Sequence, residues 1–247
     1  MNFTNYVFDN VAVFNSLTIW LATVGYSIQL YCDFAGYSMM AIGLAKAIGY
    51  DIPENFNFPY LSKSISEFWR RWHITLSNWI RDYVYISFGG NRKGTFRTYI
   101  NLLLAMALCG LWHGAAWTFV FWGFFHGLAL VVHRIWQSAK MEVKIPGRFY
   151  ASSFDSFLSR AITLATVVVG WVFFRAADFG SALAMLAKMF YPTAGVGWYH
   201  PFVLFIILSF VLIHFVKVSR LEDYLELSPT AWHTSVTIFT MIWLCLV

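Results

Sequence analysis

The first candidate for a catalytic residue is His113, because its type and its setting both indicate chemistry. It lies in the apolar segment 110–117, which reads GLWHGAAW. Gly110 and Gly114 carry no side-chain bulk, so backbone or a substrate can approach the imidazole closely. An ionisable group among residues typical of a membrane span indicates function, and we expect a neutral ring there, the form that a general base needs. A buried histidine that bonds a carbonyl at a helix break is the alternative interpretation.

His73 is the second candidate, and it belongs to an amphipathic segment, residues 64–87. The segment reads SISEFWRRWHITLSNWIRDYVYIS. Ser64 and Glu67 have the spacing of a capping box, so we expect a helix to begin there. Apolar side chains recur at helical spacing while the charged ones lie mostly off that stripe. This pattern predicts a helix at the membrane interface with its tryptophans at headgroup depth. His73 lies on the apolar side, where a packing role and a catalytic role are both open.

The other ionisable residues lie in segments that indicate a function less clearly. His126 and His133 are seven residues apart on one predicted helix, with no HExxH motif and no acidic partner, so no metal site is predicted. Asp33 is a near-membrane carboxylate that needs a partner. Arg175 is a candidate partner, or it simply extends its guanidinium to the membrane surface. The basic, glycine-rich loop 88–94 lacks P-loop spacing, which leaves a plain turn or a site for an anionic donor or headgroup.

The composition places these residues in a membrane protein. Of the 247 residues, 59% are hydrophobic and 12% are charged, about half of the roughly 25% charge of soluble domains. A soluble core could not hide that much apolar surface, which excludes an ordinary soluble enzyme and a disordered chain. The three cysteines form no CxxC pair, so neither a disulfide framework nor a zinc site is indicated. The net charge of +5 is typical of loops that face anionic lipid, and no nucleic-acid partner is predicted.

Long apolar runs predict an all-α integral membrane protein. A spanning helix needs about 20 largely apolar residues, and no alternating pattern indicates strands. The predicted spans are residues 11–31, 97–112, 115–133, 161–174, 201–216 and 231–247, with a short re-entrant or tilted helix at 37–48. The basic loops 62–97 and 134–160 are predicted to be cytoplasmic. The helical hairpin between them returns both of its ends to one side, in agreement with that orientation.

Four motifs follow one another in the first half of the chain. They are FWRRWHITLS at 68–77, WIRDY at 79–83, GGNR at 89–92 and LWHG at 111–114. In type and order they resemble the membrane-bound O-acyltransferase family, most closely its bacterial branch of alginate O-acetylation proteins. The resemblance extends over residues 31–134, and residues 171–175 resemble a later segment of the family.

The resemblance implies acyl transfer to a hydroxyl by a site that contains two histidines. His113 matches the family's central catalytic histidine, and His73 matches the second histidine of the bacterial branch. One imidazole would take the proton from the hydroxyl that attacks the acyl carbonyl, a step worth about 10²–10⁴-fold in rate. Six further residues are expected to line the substrate path: Trp69, Trp72, Asn78, Arg81, Trp112 and Asp33.

The family also implies where the reaction takes place and what takes part in it. Its fold implies a multi-span ring of helices around a thinned centre of the bacterial cytoplasmic (inner) membrane. Acetyl-CoA is the expected donor, entering from the cytoplasm, and no bound cofactor is expected. The expected partners are membrane lipids and, outside the cell, a polysaccharide such as alginate or a partner acyltransferase. Peptidoglycan O-acetyl transfer and D-alanyl transfer are alternatives within the family.

Two departures from the family pattern are visible. The family carries a substantial helical region ahead of the matching part, so we expect residues 1–247 to be a single membrane domain, the C-terminal portion of the fold, with its motif-bearing core at 31–134. Relatives often carry an acid after Tyr-Ser, whereas Met39 follows here; the role of that acid is absent or falls to Asp33. A non-catalytic scaffold or an inactive truncated remnant is an alternative of another class. A transporter with His113 in a proton path is disfavoured, because paired intramembrane carboxylates and a repeat are missing.

Overall fold

The computed structural model describes residues 3–142 and 153–215, and these residues form helices joined by loops. The α-helices are α1 (Phe3–Asp9), α2 (Ser16–Ala47), α3 (Ile65–Arg71), α4 (Ile74–Trp79), α5 (Thr95–His113), α6 (Trp117–Glu142), α7 (Ser153–Arg175), α8 (Phe179–Phe190) and α9 (Pro201–Phe215). A 3-10 turn at Pro59–Leu61 and a π-helical turn at Ile80–Tyr85 complete the described helices. Within these ranges the one strand-like pairing is an isolated bridge between Phe14 and Val196. The all-α prediction is therefore confirmed.

Three helices of the described residues are long and apolar enough to cross a membrane: Thr95–His113, Trp117–Lys140 and Phe154–Arg175. They correspond to the predicted spans at 97–112, 115–133 and 161–174. The predicted span at 201–216 is the shorter apolar helix α9. The predicted span at 231–247 lies outside the described residues. Length and composition of these helices mark a membrane protein.

Helix α2 is one continuous element of 32 residues. Most of the predicted span at 11–31 and of the predicted short helix at 37–48 lies on it, so the prediction of a separate re-entrant or tilted helix is wrong. No proline divides the two runs, and an interior glycine such as Gly36 costs a helix only about 1 kcal/mol. The helix begins after Asn15, whose side chain accepts a hydrogen bond from the Thr18 N–H at 2.9 Å.

The described residues separate into two compact units. The first contains residues 3–54 and 183–215; within it, Lys188 donates hydrogen bonds to the carbonyls of Ala12 and Phe14, which fixes the loop ahead of α2. The second contains residues 55–142 and 153–182 and holds both candidate histidines. The expectation that residues 1–247 form a single membrane domain stays a prediction.

In the second unit, α5 and α6 pack with their backbones in contact. A Cβ atom at Gly110 would collide with the carbonyl oxygen of Phe119, and one at Gly123 would collide with that of Met106. Glycine is the residue that allows two helices to approach this closely. The glycines therefore fix how the end of α5, with its histidine, meets the first turns of α6.

The segment 64–87 begins as predicted but does not continue as one helix. The Ser64 side chain accepts a hydrogen bond from the Glu67 N–H at 3.1 Å, and α3 starts at the next residue. The helix then breaks at His73, whose φ of 43° lies in the left-handed region. The prediction of a single amphipathic helix is wrong because a neighbouring loop supplies hydrogen bonds that the pattern does not reveal. The Asn57 N–H donates to the Arg71 carbonyl at 3.0 Å, and the Ile74 N–H donates to the Asn55 carbonyl at 2.9 Å.

The tryptophans of this segment differ in their surroundings. Trp69 and Trp72 are 9% and 4% exposed, because they pack against other aromatic rings of the protein, such as Trp122 and Trp171. The expected place of these two tryptophans at headgroup depth stays a prediction. Trp79 is 51% exposed and is compatible with that place. Location of the segment at the membrane interface stays a prediction.

Candidate active site

His113 is the last residue of α5 and is half-buried in a group of aromatic rings. Its ring centroid lies 5.2 Å from that of Trp122, 5.1 Å from that of Phe174 and 5.0 Å from that of Trp112. Trp122 comes from α6 and Phe174 from α7, so three helices fix the imidazole. Among the described residues no hydrogen bond to this ring is found. The alternative interpretation, in which the imidazole bonds a backbone carbonyl at the helix break, is therefore not supported in this part of the chain.

His73 is half-buried at the break between α3 and α4. Its Nδ1 lies 3.0 Å from Oδ1 of Asn55. Burial, with a smaller electrostatic contribution from His113, lowers the pKa of His73 to about 4. His73 is therefore neutral at physiological pH. A left-handed backbone at a non-glycine residue costs of order 1–3 kcal/mol and is common at functional sites.

Trp112 connects the two histidines. Its ring centroid lies 6.3 Å from that of His73 and 5.0 Å from that of His113. Trp112 itself is 62% exposed. The two imidazoles, which are 40 residues apart in the sequence, therefore lie on the same indole. This arrangement brings a second neutral ring next to the site that His113 occupies.

A cavity of about 240 Å³ lies between α3, α4, the π-helical turn, α5 and α6. Its walls are largely apolar, and its charged residues are arginines: Arg70, Arg81 and Arg134. Arg81 is paired with Asp82, Nε to Oδ1, at 2.7 Å, and this pairing lowers the pKa of the exposed Asp82 carboxyl. Cys109 lines the cavity and precedes His113 by four residues on the same helix, about one turn. His113 and His73 are not among the lining residues.

The structure brings half of the six predicted path residues together. Trp69, Asn78 and Arg81 line this cavity. Trp72 does not; it is buried against Phe56, Phe68 and Trp171, with ring centroids 5.0–5.6 Å apart.

The other two path residues lie elsewhere. Trp112 packs between the histidines. Asp33 lies on α2 in the other unit, where its carboxyl is hydrogen-bonded to Gln29. The substrate-binding roles of all six residues stay predictions, and so does the pairing of Asp33 with Arg175.

His126 is a buried histidine that sequence reasoning treated only as an unlikely metal ligand. It is fully buried, and neither ring nitrogen has a hydrogen-bond partner among the described residues. Its ring lies 5.2 Å from Trp69 and 5.1 Å from Trp122, so it touches both a cavity wall and the neighbour of His113. The sequence does contain a signal for His126. Like His113, thirteen residues earlier, it has glycines on both sides, here Gly123 and Gly127.

Asn55 was also missed. It lies in a loop whose sequence carries no motif, and its contact with His73 becomes visible only when the helix break is known. As for metals, no group of three or more histidine, cysteine or acidic side chains able to hold one is found in the described ranges.

Comparison with known proteins decides the family. The model of the membrane-bound O-acyltransferase family matches residues 2–179. The chain belongs to this family. Membership agrees with the resemblance that the motifs at 68–114 carry.

Several curated members of the membrane-bound O-acyltransferase family are similar to the chain. It is 51% identical over 172 residues to a protein named probable alginate O-acetylase AlgI from Azotobacter vinelandii, covering 69% of this chain and 32% of that protein. It is 42% identical over 188 residues to a peptidoglycan O-acetyltransferase from Helicobacter pylori, covering 76% and 34%. It is 34% identical over 165 residues to a teichoic acid D-alanyltransferase from Bacillus subtilis, covering 63% and 40%. The chain spans about a third of the length of the first of these.

Proposed function

We propose that the chain carries the histidine site of a membrane O-acetyltransferase that transfers an acetyl group from a cytoplasmic donor toward hydroxyls of an exported polysaccharide such as alginate. The observation that carries the proposal is the pair of imidazoles on one indole, with His73 and His113 both in ring contact with Trp112. A neutral imidazole can take a proton, and two of them next to one another can hand it on.

The reaction forms one bond and breaks another. The hydroxyl oxygen of the acceptor attacks the carbonyl carbon of the acetyl thioester while His113 takes the hydroxyl proton. The new C–O ester bond forms, the C–S bond breaks, and the proton passes to the departing thiolate. General-base assistance of this kind is worth about 10²–10⁴-fold in rate.

The cavity beside α5 suits the donor, for which we propose acetyl-CoA. The phosphates of such a donor are matched by Arg70 and Arg134, since guanidinium groups bind phosphate through paired N–H donors. The apolar walls suit its uncharged arm. The cavity extends to Cys109, one turn before His113, which is the direction in which the thioester has to point.

The acceptor is proposed from the named relatives. Identity is higher to the probable alginate O-acetylases, at 48–51%, than to the peptidoglycan enzyme at 42% or the D-alanyltransferase at 34%. We therefore propose alginate, reached directly or through an extracytoplasmic partner acyltransferase. The proposed location is the cytoplasmic membrane, crossed several times, with membrane lipids around the helices and with the basic loops 62–97 and 134–160 on the cytoplasmic side.

The test compares acetylation of the exported polysaccharide in cells that contain His113→Ala, His73→Ala or the parent protein. We expect His113→Ala to abolish acetylation and His73→Ala to reduce it strongly, at unchanged protein level in the membrane. His200→Ala is the matched control, because this histidine is exposed and lies in the other unit. Normal acetylation in His113→Ala would refute the catalytic assignment and favour a scaffold that works without chemistry.

A further inference from the structure

Asn55 holds His73 through a hydrogen-bond arrangement whose direction can be assigned. Its side-chain oxygen Oδ1 lies 3.3 Å from the Thr75 backbone nitrogen and 2.9 Å from the Thr75 hydroxyl. A backbone N–H can only donate, so the atom facing it must be the carbonyl oxygen of the amide. This contact fixes which way the Asn55 amide points, a choice that distances alone leave open.

The same oxygen lies 3.0 Å from Nδ1 of His73. Since a carbonyl oxygen only accepts, Nδ1 must be the nitrogen that carries the proton. A neutral imidazole has one N–H and one lone pair, so the lone pair of His73 is on Nε2. The tautomer of the second histidine therefore follows from the geometry of one asparagine.

Asn55 also supports the unusual backbone at His73. Its main-chain carbonyl accepts a hydrogen bond from the Ile74 N–H at 2.9 Å, directly after the left-handed residue. Side chain and main chain of one loop residue thus bind the break residue and the two residues that follow it. These bonds replace helical ones that the break removes, which explains why α3 and α4 do not join.

We propose that Asn55 is a positioning residue that holds His73 in the Nδ1–H tautomer, so that Nε2 is the atom through which His73 takes up the proton that His113 hands on during acyl transfer. The tautomer assignment rests on geometry alone, whereas its role in transfer rests on the proposed function. An asparagine or aspartate on the far nitrogen of a catalytic imidazole has this effect in other enzymes, where the wrong tautomer costs orders of magnitude in rate.

The first experiment measures the tautomer without any activity. The full chain, with histidines labelled with ¹³C and ¹⁵N, is studied by NMR in nanodiscs near pH 7, and His73→Gln identifies the signals of His73. We expect the Nδ1–H tautomer in the parent protein and in Asn57→Ala. Asn57 is the matched control, since it lies in the same loop, is exposed and forms its bonds with Arg71 through the backbone. We expect Asn55→Ala to show both tautomers. An Nε2–H ring in the parent protein, or unchanged signals in Asn55→Ala, would overturn the assignment.

The second experiment measures transfer. We expect Asn55→Ala to lower kcat roughly 10- to 100-fold, within the range of general-base effects, with the KM for the donor unchanged. Thr75→Val removes the hydroxyl that bonds the same Asn55 oxygen and should leave the tautomer of His73 unchanged. It therefore separates the effect of a weakened loop contact from the effect of a changed tautomer. Full kcat in Asn55→Ala, with the tautomer changed, would overturn the positioning role.

Asn55→Asp provides a rescue with a distinct signature. Its carboxylate still accepts from Nδ1 and also favours the imidazolium, which raises the pKa of His73. Activity should return, and the acidic limb of the pH–rate profile should move to higher pH. Among the described residues His113 is a titratable group whose charge reaches His73, so the pKa of His73 is also measured by NMR titration in the His113→Ala protein. If His113→Ala keeps full activity while the tautomer behaves as expected, the proposed function fails and the assignment at Asn55 survives.

Discussion

The imidazole of His113 stands at 88° to the indole of Trp122, with ring centroids 5.2 Å apart. One residue ends α5 and the other belongs to the second turn of α6, so their distance depends on how closely these helices approach. That approach is set by Gly110 and Gly123, where no side chain separates the backbones. The position of the candidate base relative to Trp122 therefore depends on these two glycines.

We expect Gly123→Ala to destabilise the protein and to reduce acetylation. Its Cβ would collide with the carbonyl oxygen of Met106, which is backbone and cannot swing aside. Overpacking of this kind costs typically about 1–3 kcal/mol, and separation of the helices also moves Trp122 away from His113. The measurement is the thermal unfolding midpoint in detergent together with product acetylation. Gly43→Ala is the control, because nothing lies within 4 Å of a Cβ at that helical glycine. Equal midpoints for both variants would contradict the prediction.

Gly170 leaves room for the buried ring of His126. A Cβ at Gly170 would lie 2.6 Å from Nε2 of His126, so Gly170→Ala is expected to cost about 1–3 kcal/mol of folding free energy. In a His126→Ala background the same substitution meets no imidazole and should cost much less. A double-mutant cycle of unfolding free energies measures this coupling. If Gly170→Ala costs the same in both backgrounds, the ring of His126 does not make the contact that we assign to it.

The sequence located the helices around this site, but it did not show where one of them is interrupted. The apolar runs located α5, α6 and α7, and the Ser64–Glu67 spacing located the start of α3. Periodicity did not reveal the break at His73, because the break depends on hydrogen bonds from a loop far enough away in sequence to lie outside any helical window. A pattern records which face of a helix is apolar, and it contains no information about a loop that competes for the same backbone groups.

The positions of candidate side chains were predictable where a motif surrounded them. The tryptophan and glycine neighbours of His113 pointed to that residue, and Trp69, Asn78 and Arg81 were predicted together and line one cavity. His126 and Asn55 escaped, since their importance lies in contacts with residues of other elements. Packing distinguishes Trp72 from Trp69: both were expected on the substrate path and both are buried, but only Trp69 lines the cavity.

The pKa of His73 gives a prediction for acid conditions. Burial lowers this pKa from 6.5 to about 4, so the unfolded chain binds the proton at a higher pH than the folded protein does. The contribution of His73 to stability is therefore complete above about pH 6.5 and is lost as the pH falls toward 4. We expect the unfolding midpoint of His73→Gln to fall less than that of the parent protein over this interval. His200→Gln, an exposed histidine, serves as the control. Parallel curves for the parent protein and His73→Gln would show that His73 is not the group concerned.

The arginines of the cavity give a prediction about the donor. We expect Arg134→Gln and Arg70→Gln each to raise the KM for acetyl-CoA, with little change in kcat, because a phosphate contact away from the reacting carbonyl stabilises ground state and transition state alike. A charge-assisted hydrogen bond is worth about 1.5–3 kcal/mol, so an increase of roughly 10- to 100-fold is expected. Arg97→Gln is the matched control, since Arg97 is exposed near the start of α5 and does not line the cavity. The contrary result, a loss of kcat at unchanged KM, would mean that these arginines act on the chemistry and that the donor phosphates bind elsewhere.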